Sequence, residues 1–209
     1  MSEAIRIAAI VPVAAIEEAK TRLGGSLDAE ERHDLVERLL ATTLRALLTV
    51  ERLSDVVIIS PDRAVLSLAA EAGARTMRQR TSGLNEGLRE ARSDVVAGGA
   101  EAIVIVPIDL PFITSGAVDA VLDVLLEGDQ PGVVLCTDRH GTGTNLLAVR
   151  PPEAIELAFG IGSRGAHERA ARDAGARYRE VEGALAVDLD TPEDLVFVET
   201  LDPDSLRVR

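Results

Sequence analysis

Apolar residues gather in runs at 5–13, 55–60, 102–107, 132–137 and 144–149, with a weaker run at 184–188. Most of these runs are apolar at consecutive positions and do not alternate, which is the pattern of strands covered on both faces. Between them, apolar residues recur at three- and four-residue steps, the pattern of a helix stripe. The clearest case is 28–50, where Leu35, Val36, Leu39, Leu40, Leu44, Leu47 and Leu48 share one face. Asp28, followed by Glu31, predicts a capping box at its start. Further helices fit 62–72, 85–97, 115–127, 153–158, 164–174 and 192–201. Alternation of this kind predicts an α/β fold, a three-layer α/β/α domain with a mostly parallel, mixed sheet. The mixed part is the pair 132–137 and 144–149. Their connecting loop, 138–143, is too short for a crossover, so they form an antiparallel hairpin or lie at a sheet edge.

Length fits a single domain over 1–201, with a polar tail, 202–209, expected to be mobile. The run from Ile5 to Ile16 is preceded by Glu3, interrupted by Pro12 and lacks a basic leader, so it reads as a strand and not as a signal peptide. No run approaches the ~20 apolar residues that span a bilayer, so no membrane association is expected. The single cysteine, Cys136, excludes an internal disulfide, reads as a buried strand thiol and fits a reducing cytoplasm.

The charge changes the picture of partners. Asp and Glu number 35 against 22 Lys and Arg, a formal net charge of −13, and aromatic residues are 2% of the chain. A nucleic-acid surface needs clustered cations and stacking platforms, and neither is offered. Anionic small molecules remain possible where a local cationic pocket or metal ions stand between them and the carboxylates. Of the basic residues only Lys20 is lysine. A homodimer is the base-rate expectation for assembly.

In a doubly wound sheet, ligands bind beyond the carboxyl ends of the strands. The first such loop, 14–25, carries neither the G-x-G-x-x-G fingerprint nor a P-loop, but it holds Lys20 and Arg22 ahead of two glycines. An ammonium and a guanidinium there suit a polyphosphate, whereas the plain alternative is a surface pair bridging Glu17 and Glu18. The loop P-I-D-L-P fixes Asp109 between Pro107 and Pro111, as a Mg²⁺ ligand requires. The next helix has its own caps in Thr114 and Ser115, which weakens the reading of Asp109 as a cap. In V-D-L-D-T-P-E-D, Thr191, Pro192 and Asp194 make an ordinary helix start, leaving Asp188 and Asp190 as candidates for the second carboxylate of a magnesium site. R-H-G-T-G-T-N (139–145) and F-G-I-G-S-R-G (159–165) offer hydroxyls and exposed N–H groups, and the second opens a helix near Ser163. His140 and His167 show no metal-ligand spacing and read as solvated or structural. Asn85, in S-G-L-N, either reads a base edge or caps a helix.

In this order, V-P-V, A-K-T-R-L, G-L-N, D-L-P, G-T-G-T-N, F-G-x-G-S and D-x-D-T-P-E-D-L resemble the phospholactate guanylyltransferase family that makes the side-chain precursor of coenzyme F-420. The resemblance covers nearly the whole chain and implies the nucleotide-diphospho-sugar transferase-like fold. It also implies transfer of GMP from GTP to a small phosphorylated carboxylic acid, phosphoenolpyruvate or 2-phospho-L-lactate, with release of pyrophosphate. Carried over, Lys20 and Arg22 hold the GTP phosphates, with Lys20, Arg22 and Asp109 the catalytic set. Gly83 and Asn85 help seat the nucleoside. Asp109 and Asp188, or less directly Asp190, bind Mg²⁺, and Thr144, Gly160 and Ser163 cradle the acceptor. One departure is Ala14, where many relatives follow V-P-V with a lysine. Two other readings stand beside this one: a nucleotidyltransferase of the same fold with a molybdopterin or sugar acceptor, and a non-catalytic nucleotide-binding regulatory protein.

Overall fold

The computed structural model describes residues 5–15, 23 and 26–202. Lys20 and Arg22 lie outside this set, as does the tail beyond Asp202. Seven strands form one sheet: β1 (Ile7–Pro12), β2 (Leu53–Ser60), β3 (Arg75–Arg78), β4 (Ala102–Ile105), β5 (Gly132–Cys136), β6 (Leu146–Arg150) and β7 (Arg177–Glu180). The helices are α1 (Ala29–Leu48), α2 (Arg63–Glu71), α3 (Leu84–Ala97), α4 (Ser115–Leu125), α5 (Ser163–Asp173) and α6 (Pro192–Leu201).

The strand order is β3-β2-β1-β4-β6-β5-β7, with β6 antiparallel to both its neighbours and every other pairing parallel. The two sides of each strand feed two cores. Ile7, Ala9 and Val11 of β1 pack with Leu35, Leu39 and Leu47 of α1 and with Val118 and Leu122 of α4. Ala8 and Ile10 face the other way, against Leu88, Ala91 and Val95 of α3 and Ala171 of α5. This double coverage is what the unbroken apolar runs called for. Asp28 caps α1 through a reciprocal box with Glu31, and Thr191 caps α6 through one with Asp194.

Three sequence expectations are corrected. The weak run 184–188 is a short 3₁₀ turn, Ala184–Ala186, followed by extended backbone, and pairs with no strand. Residues 153–158 form no helix; Ile155 and Leu157 are buried while Glu153 and Glu156 are exposed, an irregular segment laid over the second core. The sheet is also wider than the runs indicate, because β3 and β7 are strands of mostly half-exposed and exposed residues, R-T-M-R and R-Y-R-E. Both sit at the two edges, where no second covering layer demands an apolar run.

Candidate active site

The sheet order reverses at β1, whose neighbours are β2 and β4, so the β1 and β4 ends open the crevice where ligands settle in such sheets. Because β6 runs backwards, the residues before it stand beside the residues that follow β4 and β5. Ile105 pairs with Leu147 and Cys136 with Leu146, which puts Thr144 and Asn145 at the crevice. The result is a cleft of about 890 Å³. Ala14 lines it after β1, Asp109 after β4, Asp138 after β5, and Thr144 before β6. Gly160 and Ser163 enter from the loop that opens α5, and Asp188 and Asp190 from the segment before α6.

The cleft therefore brings together Asp109, Thr144, Gly160, Ser163, Asp188 and Asp190. The Asp109 loop and the Asp188–Asp190 segment are joined directly, since the Leu189 N–H donates to the Asp109 carbonyl at 3.0 Å. Asn145 fixes the same segment from behind by donating Nδ2–H to the Leu185 carbonyl at 2.9 Å. Thr114 caps α4, its hydroxyl accepting the Ala117 N–H, so Asp109 is not the cap of that helix. Asp194 is nearly buried and accepts the Asp190 and Thr191 N–H groups at 3.0 and 2.7 Å. Arg139 closes over it as an ion pair and lies 5.0 Å above the Phe197 ring.

The electrostatics of this wall are one-sided. Four aspartates line it, and among the described lining residues there is no Lys, Arg or His. Burial, and then the Asp109 carboxylate, push the Asp188 carboxyl up to about 6. Asp138 is held below the usual range despite its burial, chiefly because the Thr142 N–H, at 2.8 Å, and the Gly143 N–H stabilise its charge. Two carboxylates that repel across a cleft suit a hard divalent cation, which takes oxygen ligands. Among the described residues no three Asp, Glu, His or Cys side chains converge closely enough to hold a metal by themselves.

Helix α5 begins at Gly162, in the left-handed region at φ 72, with no side chain capping it. Its first residue, Ser163, is buried, lines the cleft, and its hydroxyl has no protein partner. A helix start with an unpartnered hydroxyl is chemistry for an anion.

Gly83 and Asn85 are placed differently from the other candidates. Leu84 reaches the cleft wall, and Gly83 and Asn85 do not. Gly83 is the N-cap of α3 at φ 100, where a Cβ would meet the Glu86 carboxylate; Asn85 lies inside the helix and caps nothing. The Asn85 amide clamps the backbone of Phe159 from both sides: Nδ2–H donates to the Phe159 carbonyl and Oδ1 accepts the Phe159 N–H, each at 2.9 Å. A residue read either as a base reader or as a helix cap is not the cap, and it holds the F-G-I-G-S loop in place. His167, read as solvated or structural, is fully buried one turn after Ser163, against Thr144 and the Ala158 N–H. The four-residue step from Ser163 was the available signal, since it puts both on the same helix face.

Residues 7–201 match the profile of a family described as "Guanylyl transferase CofC like". A phosphoenolpyruvate guanylyltransferase of Sphaerobacter thermophilus is 46% identical over 189 residues, covering 90% of this chain and 89% of that protein. A 3-phospho-D-glycerate guanylyltransferase of Phenylobacterium zucineum is 39% identical, covering 86% of this chain and 84% of that protein. Among solved structures, a protein of Desulfovibrio desulfuricans G20 described as a nucleotide-diphospho-sugar transferase superposes with a TM-score of 0.76 at 20% identity, over 97% of this chain and 90% of its own. No described helix is long and apolar enough to cross a membrane.

Proposed function

Because the chain belongs to the CofC-like family of guanylyl transferases, we propose that it moves GMP from GTP onto the phosphate of a small phosphorylated carboxylic acid and releases pyrophosphate. Phosphoenolpyruvate is the first choice of acceptor, by the name of the relative at 46% identity, and the product would feed side-chain assembly of coenzyme F-420 in the cytoplasm. The observation that carries the reading is the make-up of the cleft. One cleft gathers Asp109, Asp188 and Asp190, carboxylates for a cation, together with Thr144, Ser163 and the start of α5, donors for an anion.

An acceptor phosphate monoester is its own nucleophile at neutral pH, carrying close to two negative charges, so no serine, cysteine or histidine need be activated. One of its oxygens attacks the α-phosphorus of GTP while the bond to pyrophosphate breaks. The protein's part is alignment and charge neutralisation. Thr144, Ser163 and the Gly160 backbone hold the acceptor in line. Asp109 and Asp188, with Asp190 beside them, would hold Mg²⁺, which supplies neutralisation of the phosphate charge. Lys20 and Arg22 would hold the triphosphate, where the described wall has no cation of its own.

The test is pyrophosphate release with Mg²⁺, each nucleoside triphosphate in turn, and phosphoenolpyruvate, 2-phospho-L-lactate or 3-phosphoglycerate. Release with GTP and one of these acids is expected; none with GTP and any of them sinks the reading. Ala14 supplies a second test, since it lines the cleft where a lysine would stand near the triphosphate. Ala14→Lys adds an ammonium to an acidic wall and is expected to lower the GTP KM by roughly threefold to tenfold, about the worth of one charge-assisted hydrogen bond. An unchanged or higher GTP KM would place the triphosphate elsewhere.

A further inference from the structure

His167 sits one turn into α5 with no exposed surface, its ring edge-on to Phe159 at a centroid distance of 5.1 Å. Its two ring nitrogens have different partners. Nε2 accepts the Ala158 backbone N–H at 3.0 Å, and Nδ1 lies 3.1 Å from Thr144 Oγ1. A backbone N–H can only donate, so Nε2 must present its lone pair, and a neutral imidazole then carries its single proton on Nδ1. Burial holds the ring neutral at physiological pH by pushing its pKa down to about 4. Nδ1–H therefore donates to Thr144 Oγ1. The threonine hydroxyl, already receiving a hydrogen bond, keeps its own hydrogen for another acceptor, and Thr144 lines the cleft beside Ser163.

We propose that His167 is a positioning residue for acceptor recognition: by donating to one lone pair of the Thr144 hydroxyl it leaves the hydroxyl hydrogen free for an acceptor in the cleft. Thr144 can then donate to a deprotonated phosphate or carboxylate oxygen. The hydroxyl is also ordered before the ligand arrives, which lowers the entropic cost of binding. The same ring holds the Ala158 N–H, so the donor and the loop that carries Gly160 are set by a single side chain. This inference rests on the reading of Thr144 and Ser163 as the acceptor's seat.

Two measurements test it, the first without any turnover. In ¹⁵N-labelled protein, long-range ¹H–¹⁵N correlation spectra between pH 6 and 8 are expected to show the His167 Nδ1–H tautomer; an Nε2–H tautomer or a doubly protonated ring overturns the proposal. The second is kinetic. His167→Gln retains an acceptor near the Nε2 position but no donor near Nδ1, whereas His167→Asn returns an amide N–H toward Thr144. H167Q is expected to raise the acceptor KM about tenfold with the GTP KM unchanged. H167N is expected to recover most of that loss. In a Thr144→Val background, H167Q is expected to add nothing, because its effect passes through the hydroxyl. Equal losses in H167Q and H167N, a parallel rise in the GTP KM, or full additivity with T144V would show packing alone and overturn the proposal. Failure of every acid to support pyrophosphate release would instead sink the functional reading, and the tautomer spectrum would still decide which way the hydrogen bond runs.

Discussion

Asp109→Asn is expected to lower kcat/KM for pyrophosphate release by about 10³-fold or more, the scale at which preorganised electrostatic groups act, while leaving the protein at least as stable as the wild type. Asparagine keeps the shape of the side chain and removes its charge. In the proposed reaction that charge holds the cation that neutralises the phosphates, and the described lining of the cleft has no Lys, Arg or His to replace it. Stability moves in the opposite direction for the same reason. Asp188 has its carboxyl raised to about 6 by burial and by Asp109. A carboxyl raised in the folded state contributes stability that is full below about pH 4 and is lost as pH rises through about 6. At pH 7.5 the wild type bears the whole repulsion, and the variant loses the Asp109 share of it. That relief is expected to raise Tm at pH 7.5, with the difference vanishing near pH 5, where Asp188 is protonated. Magnesium chloride is expected to raise the wild-type Tm at pH 7.5 more than the variant's. A folded D109N enzyme with turnover within about threefold of the wild type would show that the carboxylate does not act on the phosphates at all.

That opposition of stability and function marks where the sequence could be read. The strands covered on both faces, β1, β2, β4, β5 and β6, announce themselves because nearly all their buried positions are apolar. The capping box at Asp28 and Glu31 is local chemistry and needs no tertiary partner. Asp109 was legible as a candidate because two prolines pin a carboxylate where no helix requires it, and it does line the cleft. The edge strands β3 and β7 were not legible, since ladder hydrogen bonds to one neighbour define them and R-T-M-R and R-Y-R-E carry no burial pattern. Residues 153–158 have helix-compatible composition, but Pro151, Pro152 and Gly160 flank them. They are anchored from outside, by Arg92 Nη1–H on the Ile155 carbonyl at 2.8 Å and by the Ala158 N–H on His167. Long-range contacts of this kind leave no periodicity to read. Asn85 and His167 share that difficulty: both face the backbone of a loop more than seventy and about nine residues away, respectively, and only the folded chain shows which polar atoms they satisfy.

Asn85→Ala therefore distinguishes the nucleoside contact that the resemblance implies from the loop support that the Phe159 clamp provides. The substitution leaves the Phe159 N–H and carbonyl, both partly buried, without their partners. An unsatisfied buried backbone group costs about 1–3 kcal/mol; these two are only partly buried, which takes each to the lower part of that range, so the pair is worth roughly 2–4 kcal/mol and a fall in Tm of about 4–16 °C. The kinetic signature is more specific. Phe159 precedes Gly160, and the loop ends at Ser163, so a loosened loop misplaces the acceptor and not the triphosphate. The acceptor KM is expected to rise by at least about tenfold, with kcat falling as in-line alignment is lost, because displacements near 1 Å at a reacting centre cost about 10²-fold. The GTP KM is expected to stay within about twofold, the spread of an untouched site. A rise in the GTP KM alone, at unchanged thermal stability, would return Asn85 to the nucleoside and require the Phe159 clamp to open when GTP binds. Asn85→Asp gives the finer reading: its oxygens can still accept the Phe159 N–H but cannot donate to the Phe159 carbonyl, so about half the stability loss is expected, together with a smaller rise in the acceptor KM.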